Sequence, residues 1–255
     1  MSRCLAGLAV ALMVTKMVTW LAIVRFHSSA ALNVSYVAAT LLMLWSYFLA
    51  VMVQPRACPP SDNRVRAGED ASTGDDEQVM RYCERCDMNK TASMHHCSAC
   101  HRCIYRMDHH CPWTNNCVGW DNKKHFLLFL LYTSASCLLF NGMAAEIMWH
   151  HMTRYEADKS LLQLTWTLSL AIGGILAGYF LFHIWLLYQG KTTLELITGK
   201  HGELEGNSLC ANMKVYFGSN VALWWLPVAP AFDTMTLHDQ ERGIRYQRES
   251  EQLMV

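Results

Sequence analysis

Four long apolar stretches restrict the fold of this 255-residue chain more than any other feature. They cover residues 5–24, 30–53, 126–149 and 161–188. Within them, only Lys16, Glu146 and His183 are charged or readily protonated. A helix needs about 20 mostly apolar residues to cross a hydrocarbon core of roughly 30 Å. The sequence therefore predicts an α-helical polytopic membrane protein with four transmembrane helices.

The first stretch also has features of a cleavable signal peptide, because Arg3 precedes its apolar core. The apolar run resumes after Lys16, however, and no small-residue cleavage site ends a short core. We therefore predict a helix that is retained. Lys16 is expected either to extend toward the membrane interface or to face other helices, and not to form an ion pathway.

The distribution of Lys and Arg predicts the orientation in the membrane. Ten lie between the second and third stretches, at positions 56, 64, 66, 81, 85, 90, 102, 106, 123 and 124. The two loops on the opposite side contain only Arg25, Arg154 and Lys159. The long loop and both termini should therefore face the cytosol. The formal net charge of +0 argues against nucleic acid as a partner, and the expected environment is the lipid bilayer.

The apolar stretches divide the chain into five predicted segments. Residues 1–53 contain transmembrane helices 1 and 2, and residues 126–188 contain helices 3 and 4. Residues 54–79 hold several Pro and Gly residues and an acidic group, which is typical of a flexible cytosolic linker. Residues 80–125 form a Cys-rich cytosolic domain, and residues 189–255 form a cytosolic tail.

The Cys-rich domain has the spacing of a metal-binding module. It contains seven of the eleven cysteines: Cys83, Cys86, Cys97, Cys100, Cys103, Cys111 and Cys117. Cytosolic thiols stay reduced, so its two Cys-x-x-Cys pairs favour metal over disulfide. His96 and His110 are suitably placed to help close two tetrahedral sites, and zinc suits such mixed ligands. Two sites of three Cys and one His would leave one cysteine over. No internal repeat is evident beyond the Cys-x-x-Cys units.

Local chemistry favours Cys111 as the cysteine left over, although the count alone does not identify it. Cys111 follows Asp108, His109 and His110 directly. His109 can accept the thiol proton, and Asp108 can orient the imidazole and stabilise its charged form. The alternative interpretation makes Cys111 a metal ligand and His109 a solvated loop residue.

The same residues resemble the DHHC-type protein S-acyltransferases, the palmitoyltransferase family. The resemblance covers Tyr82 to about Leu131 and rests on Cys83-x-x-Cys86, His95 to Cys103, Met107 to Trp113, Asn115 to Gly119, Asn122 and Phe126. Four spans with the cluster between the second and third are also similar to this family. So are the tetrapeptide at 192–195 and the segment at 212–218.

The resemblance implies two structural zinc ions. The first would be bound by Cys83, Cys86, His96 and Cys103, and the second by Cys97, Cys100, His110 and Cys117. It further implies that Cys111 is the nucleophile, His109 its general base and Asp108 the residue that orients His109. Thr193 is expected to pack against Asp108, while Glu195 and Asn212 brace the tail.

The implied activity is protein S-palmitoylation. A long-chain acyl group would pass from palmitoyl-CoA to Cys111 and then to membrane-proximal cysteines of protein substrates. The implied location is a membrane of the Golgi, the endoplasmic reticulum or the cell surface, with the catalytic domain in the cytosol.

The sequence departs from the family pattern at two places. Residues 90–94 read Lys-Thr-Ala-Ser-Met where the family has Lys-Pro-x-Arg, and residues 54–56 read Gln-Pro-Arg where it has Asp-Pro-Gly. The first difference removes a cation for the coenzyme A phosphates. We expect other residues to bind the acyl-CoA instead: Lys90, His95, Trp113, Lys123 and Lys124.

Three other functions are compatible with parts of the sequence. A non-catalytic zinc module could scaffold partners at the membrane, with Cys111 inert. A RING-like ubiquitin ligase is disfavoured because that class ends in another Cys-x-x-Cys pair, whereas Cys111 and Cys117 are farther apart. Transport is disfavoured by the scarcity of ionisable residues in the spans.

Overall fold

A computed structural model of the chain describes residues 2–57, 81–91, 93–150 and 156–231. Most of the linker predicted over 54–79 lies outside the described residues. By their internal contacts, the described residues divide into two units. The helical unit contains residues up to 51, residues 112–115 and residues 125–183. The cysteine-rich unit contains the remaining described residues.

Four long helices confirm the predicted membrane architecture. They are α1 (Ser2–Ala22), α2 (Ala30–Met52), α3 (Lys123–His150) and α4 (Glu156–Gln189). The apolar parts, Arg3–Phe26, Ala30–Met52, Lys123–Trp149 and Asp158–Gln189, are each long and apolar enough to cross a membrane. The Cys/His-rich segment lies between the second and third helices, as predicted. Helix α3 begins at Lys123, three residues before the apolar stretch.

Helix α3 is the most enclosed of the four. In its most apolar 18-residue segment, 56% is buried inside the protein, whereas the corresponding shares in the other three helices are 22–33%. Phe140, Met143 and Ile147 of α3 belong to a buried apolar cluster, which also includes Tyr36 of α2 and Leu162 of α4. The other helices expose Leu, Val, Ile and Phe side chains, as expected for surfaces that contact lipid.

Some of the buried polar side chains inside the helical unit are paired with each other. Lys16 of α1 is buried, and its Nζ donates to Ser136 Oγ at 2.7 Å and to Cys137 Sγ at 3.4 Å. Thr19 and Thr165 share a hydrogen bond of 3.0 Å between α1 and α4. Unpaired polar groups are costly in hydrocarbon, so these contacts tie α1 to its neighbours. Of the two placements expected for Lys16, the structure shows the inward one.

A glycine allows α3 and α4 to approach closely. A Cβ atom added to Gly173 would lie 2.7 Å from the Cys137 Cβ, which is closer than real Cβ contacts allow. Gly174, the next residue of α4, has open space within 4 Å of its Cβ position. Only Gly173 of this pair is therefore required for packing.

We expect Gly173→Ala to lower the free energy of unfolding by about 1–3 kcal/mol, because the added methyl group forces the two helices apart. Thermal unfolding in detergent measures this change. Gly174→Ala is the matched control, and its better helix propensity should leave stability unchanged or raise it by up to about 1 kcal/mol. Equal effects of the two substitutions would contradict the packing described.

The cysteine-rich unit is built on three short β-hairpins. Strand β1 (Arg81–Cys83) pairs with β2 (Met88–Lys90), β3 (Met94–Cys97) with β4 (Arg102–Tyr105), and β5 (His109–Cys111) with β6 (Asn116–Val118). Each pair is antiparallel and forms a two-stranded sheet of its own. An isolated two-stranded hairpin is marginally stable at best in water. Other interactions must therefore hold the three hairpins.

The hairpins repeat at a spacing of 14 residues. The first strand of each ends on a cysteine, at positions 83, 97 and 111. Each turn then passes through a residue with positive φ, at Asp87 (52°), His101 (54°) and Asn115 (50°). Asp, His and Asn adopt this conformation more readily than most residues. The expectation that the sequence has no internal repeat is therefore wrong.

Two short helices follow α4. Helix α5 (Thr193–Thr198) begins with a capping box: the Thr192 hydroxyl accepts from Glu195 N–H, and the Glu195 carboxylate accepts from Thr192 N–H. This arrangement fixes Thr193 as the first residue of α5. Helix α6 (Leu209–Phe217) is attached to the end of α4, because Asn212 Nδ2 donates to the Leu187 carbonyl at 2.8 Å.

Candidate active site and metal clusters

The first Cys/His cluster joins the first hairpin to the second. Cys83 and Cys86 come from the turn of the first hairpin, while His96 and Cys103 lie directly opposite each other on β3 and β4. His96 Nδ1 lies 3.6 Å from Cys83 Sγ and 3.2 Å from Cys86 Sγ. All four ligand atoms lie within 4.8 Å of one another.

The second cluster has the same construction, one hairpin later. Cys97 and Cys100 come from the turn of the second hairpin, and His110 and Cys117 lie opposite each other on β5 and β6. His110 Nδ1 lies 3.8 Å from Cys97 Sγ, 3.4 Å from Cys100 Sγ and 3.6 Å from Cys117 Sγ. The second hairpin thus contributes ligand atoms to both clusters and links the three hairpins in series.

These separations fit a tetrahedral ion. Bonds of about 2.3 Å to sulfur and about 2.0 Å to nitrogen require ligand atoms roughly 3.5–3.8 Å apart. The sulfur–nitrogen distances in both clusters lie between 3.2 and 3.8 Å. Each cluster could therefore hold one metal ion, with three thiolates and one imidazole.

Cys111 belongs to neither cluster, and the repeat explains why. It occupies the place that Cys83 and Cys97 have in the earlier hairpins. In the third hairpin, Thr114 occupies the position of Cys86 and Cys100. A third cluster would also need two ligands from a fourth hairpin, but helix α3 follows β6 instead. Cys111 is thus equivalent in the repeat to two cluster cysteines, but the described residues contain no third cluster of this kind.

The alternation of side chains along strand β5 places His109 and His110 on opposite faces. Successive side chains of a strand point to opposite faces. His109 and Cys111 therefore share one face, and His110 points to the other face, where its cluster lies. His109 forms a hydrogen bond with the Cys111 side chain and another with Asp108, whose Oδ2 lies 2.7 Å from His109 Nδ1.

The surroundings of His109 favour its charged form. Burial alone would lower its pKa, but the hydrogen bonds and charges of Asp108 and Cys111 outweigh burial and raise the pKa of His109 to about 9. An imidazolium beside a thiol stabilises the thiolate. The thiol of Cys111, the imidazole of His109 and the carboxylate of Asp108 are thus linked in that order by hydrogen bonds.

The Asp108 carboxylate is buried and accepts hydrogen bonds at both oxygens. Oδ1 accepts from Lys123 Nζ at 2.7 Å and from Thr193 N–H at 3.1 Å. Oδ2 accepts from the Thr193 hydroxyl at 2.8 Å as well as from His109. The Asp108 N–H donates to the carbonyl of Val118, the last residue of β6, at 2.9 Å. This bond ties the main chain of Asp108 to β6. Four side-chain and main-chain donors therefore define the carboxylate plane.

Two of the residues expected to bind acyl-CoA have other partners. Lys123 and Lys124 are both fully buried. Lys123 donates to Asp108, and Lys124 Nζ donates to the carbonyls of Leu223 and Val228, each at 3.0 Å. Both ammonium groups are thus engaged in contacts within the protein.

The other three expected acyl-CoA residues are less enclosed. Lys90 ends β2 and His95 lies on β3, both half-buried. Burial, followed by the positive charges of Lys200 and Lys90, lowers the pKa of His95, although the negative charge of Glu195 opposes this shift. Trp113 is 42% exposed.

A buried cation that the sequence did not indicate lies beside the site. Arg106 is 1% exposed, and its guanidinium lies 5.9 Å from the Trp120 ring centroid and 5.3 Å from that of Tyr216. Its Nε lies 3.8 Å from Glu203 Oε2. These cation–π contacts join Tyr216 of α6 to the residues that flank the third hairpin. The one signal in the sequence was a charged residue between Tyr105 and Met107, which is too common to identify a buried site.

Known proteins are similar to this chain over the same region. A family model described as DHHC palmitoyltransferase matches residues 76–200. Palmitoyltransferase ZDHHC20 of Homo sapiens is 38% identical over 162 residues, which are 59% of this chain and 44% of that protein. Palmitoyltransferase ZDHHC2 of Mus musculus is 38% identical over 159 residues, 59% of this chain and 43% of that protein.

A plant relative is similar over a larger part of its length. Probable protein S-acyltransferase 13 of Arabidopsis thaliana is 31% identical over 208 residues, which are 74% of this chain and 68% of that protein. The chain spans less than half the length of the two mammalian relatives.

Metal analysis tests the two clusters. The purified protein should contain two metal ions per chain, and His96→Ala should reduce this to about one, because the first cluster loses its only imidazole. The matched control is His95→Ala, since His95 precedes His96 on β3 and points to the opposite face. It should retain both ions. Equal metal loss in the two variants would contradict the assignment.

Proposed function

Because the chain belongs to the DHHC palmitoyltransferase family, we propose that it is a protein S-palmitoyltransferase. It would carry a long-chain acyl group from acyl-CoA, through an acyl-enzyme on Cys111, to cysteine thiols of protein substrates. One observation carries the proposal. Of the seven cysteines between 83 and 117, six lie in the two clusters, and Cys111 lies outside both with His109 bonded to it.

We propose zinc as the ion in both clusters. Three thiolates and one imidazole at tetrahedral separations form the closed donor set of a structural zinc site. The first ion would be bound by Cys83, Cys86, His96 and Cys103, and the second by Cys97, Cys100, His110 and Cys117. Bound zinc would supply folding free energy that three short hairpins lack, and it leaves no open coordination position for chemistry.

The first half-reaction forms the acyl-enzyme. His109 holds the Cys111 proton, and the thiolate attacks the carbonyl carbon of the acyl-CoA thioester. A bond forms from Cys111 Sγ to that carbon, and the bond from the carbon to the coenzyme A sulfur breaks. His109 then returns the proton to the departing thiolate. Asp108 occupies Nδ1 of His109, which leaves Nε2 to exchange protons with sulfur.

The second half-reaction transfers the acyl group to the substrate. A cysteine of the protein substrate gives its proton to His109 and attacks the carbonyl carbon of acyl-Cys111. The new thioester forms as the bond to Cys111 Sγ breaks, and Cys111 recovers the proton from His109. One thioester replaces another, so the reaction is close to neutral in free energy and requires no ATP.

The membrane architecture supports a long-chain acyl donor. Each methylene group removed from water contributes about 0.8 kcal/mol, so an integral membrane protein can bind such a chain tightly. We propose that the positively charged segment between α2 and α3 faces the cytosol, in a membrane of the Golgi, the endoplasmic reticulum or the cell surface. Lys90 and His95, with the nearby charge of Lys200, are the proposed contacts to coenzyme A phosphates. Trp113 remains a proposed aromatic contact to the acyl-CoA.

Acyl labelling tests the nucleophile. The purified protein incubated with palmitoyl-CoA should gain one hydroxylamine-labile acyl group, and Cys111→Ser should gain none while both metal ions remain. Cys210→Ser is the control, because Cys210 is an exposed free cysteine outside the clusters, and it should label normally. A wild-type protein without an adduct would favour a non-catalytic metal module instead.

Single-turnover kinetics test the base. We expect His109→Ala to slow acyl-enzyme formation by about 10²- to 10⁴-fold, since the thiol loses its proton acceptor. Bound metal should stay at the wild-type amount, because His109 is not in either cluster. His201→Ala provides the comparison, as the His201 side chain is 89% exposed on the tail. A wild-type rate in His109→Ala would remove His109 from the mechanism.

A further inference from the structure

Lys123 forms a buried ion pair with the carboxylate that orients His109. It is the first residue of α3, and its Nζ lies 2.7 Å from Asp108 Oδ1. Both side chains have no exposed surface. The ammonium group also lies 5.1 Å from the Tyr216 ring centroid, whose π face stabilises a cation. Asp108 and Tyr216 thus both favour the charge of the lysine, and they offset its burial and the nearby cation of Arg106.

We propose that Lys123 is a positioning residue, the fixed counter-ion that keeps Asp108 aligned on His109. The proposal rests on the acyl transfer at Cys111 proposed above. It replaces the sequence-based expectation that Lys123 binds a coenzyme A phosphate. Lys123 would touch neither the substrate nor the reacting atoms, and it would act through Asp108.

The division of donors between the two carboxylate oxygens supports this role. Lys123 and Thr193 N–H hold Oδ1, while His109 and the Thr193 hydroxyl hold Oδ2. Thr193 is uncharged and donates to both oxygens, so it does not compensate the carboxylate charge. Lys123 provides a permanent charge on one oxygen, and the other oxygen stays directed at His109 Nδ1.

Removal of this cation should disturb the orientation of Asp108. When a buried carboxylate loses its ammonium partner, part of its desolvation penalty is no longer offset, and rotation toward other donors or toward water would relieve it. Rotation would take Oδ2 away from His109. A shift of about 1 Å in such a catalytic arrangement can cost about 100-fold in rate. Acyl-CoA binding should not change, because Lys123 does not contact the substrate.

The experiment compares Lys123→Met, Lys123→Arg, Asp108→Asn and the Lys123→Met/Asp108→Asn double variant. Single-turnover acyl-enzyme formation is measured over a range of palmitoyl-CoA concentrations. We expect Lys123→Met to lower the maximal rate about 10- to 100-fold and to keep the half-saturating concentration within about twofold. Lys123→Arg should recover most of the rate. The double variant should be no slower than Asp108→Asn alone.

A different pattern of kinetics would overturn the proposal. An increase in the half-saturating palmitoyl-CoA concentration with an unchanged maximal rate would mean that Lys123 binds the coenzyme A. A double variant slower than Asp108→Asn by the full effect of Lys123→Met would mean that the two residues act independently. A wild-type rate in Lys123→Met would also refute the proposed role.

Melting temperatures test the ion pair without reference to activity. Lys123→Met should melt roughly 10 °C below wild type, because a fully buried carboxylate loses its buried ammonium partner, and the double variant should recover most of this loss. The matched control is Lys124→Met, equally buried but bonded to carbonyls, whose effect should add independently to that of Asp108→Asn.

The two readouts separate failure of this proposal from failure of the proposed function. Independent melting shifts of Lys123→Met and Asp108→Asn would refute the pair even if Lys123→Met folds poorly. A wild-type protein that forms no acyl-enzyme would refute the proposed function and the role of Lys123 with it.

Discussion

The convergence of six thiols and two imidazoles on two points is the constraint on which the cysteine-rich unit depends. Its strands are three or four residues long and pair only in twos, so main-chain hydrogen bonds alone cannot stabilise them. Structural zinc binding contributes on the order of 10 kcal/mol or more in small domains, which exceeds any other interaction available to such hairpins. The second hairpin contributes ligands to both clusters. Loss of either metal ion would therefore detach this hairpin from one of its two neighbours.

The same constraint positions the proposed nucleophile. His110 is fixed by the second cluster, and strand alternation then places His109 and Cys111 together on the opposite face of β5. Asp108 precedes the strand and is held by Lys123 and Thr193, which come from α3 and α5. The proposed metal ligand His110 and the proposed nucleophile Cys111 are thus adjacent in sequence, but they lie on opposite faces of the strand.

The features that the sequence predicted depend on local spacing. Helix length identified the four spans, and Cys-x-x-Cys pairs with nearby histidines identified the clusters. The burial of Lys123 and Lys124 could not be predicted in this way, because it depends on Asp108, Leu223 and Val228, which are 15 to 104 residues away. Two adjacent lysines before an apolar run look like interfacial or phosphate-binding residues when their distant partners are unknown. The 14-residue repeat was hidden because the third hairpin has Thr114 in place of its second cysteine.

The central claim is that Cys111 stands in a ligand's position but lies outside both metal sites. X-ray absorption at the zinc edge of the purified protein and of Cys111→Ser tests it most directly. We expect an average of three sulfur atoms and one nitrogen atom around each zinc ion, with identical spectra for the two proteins. A lower sulfur number in Cys111→Ser would instead show that Cys111 is a zinc ligand.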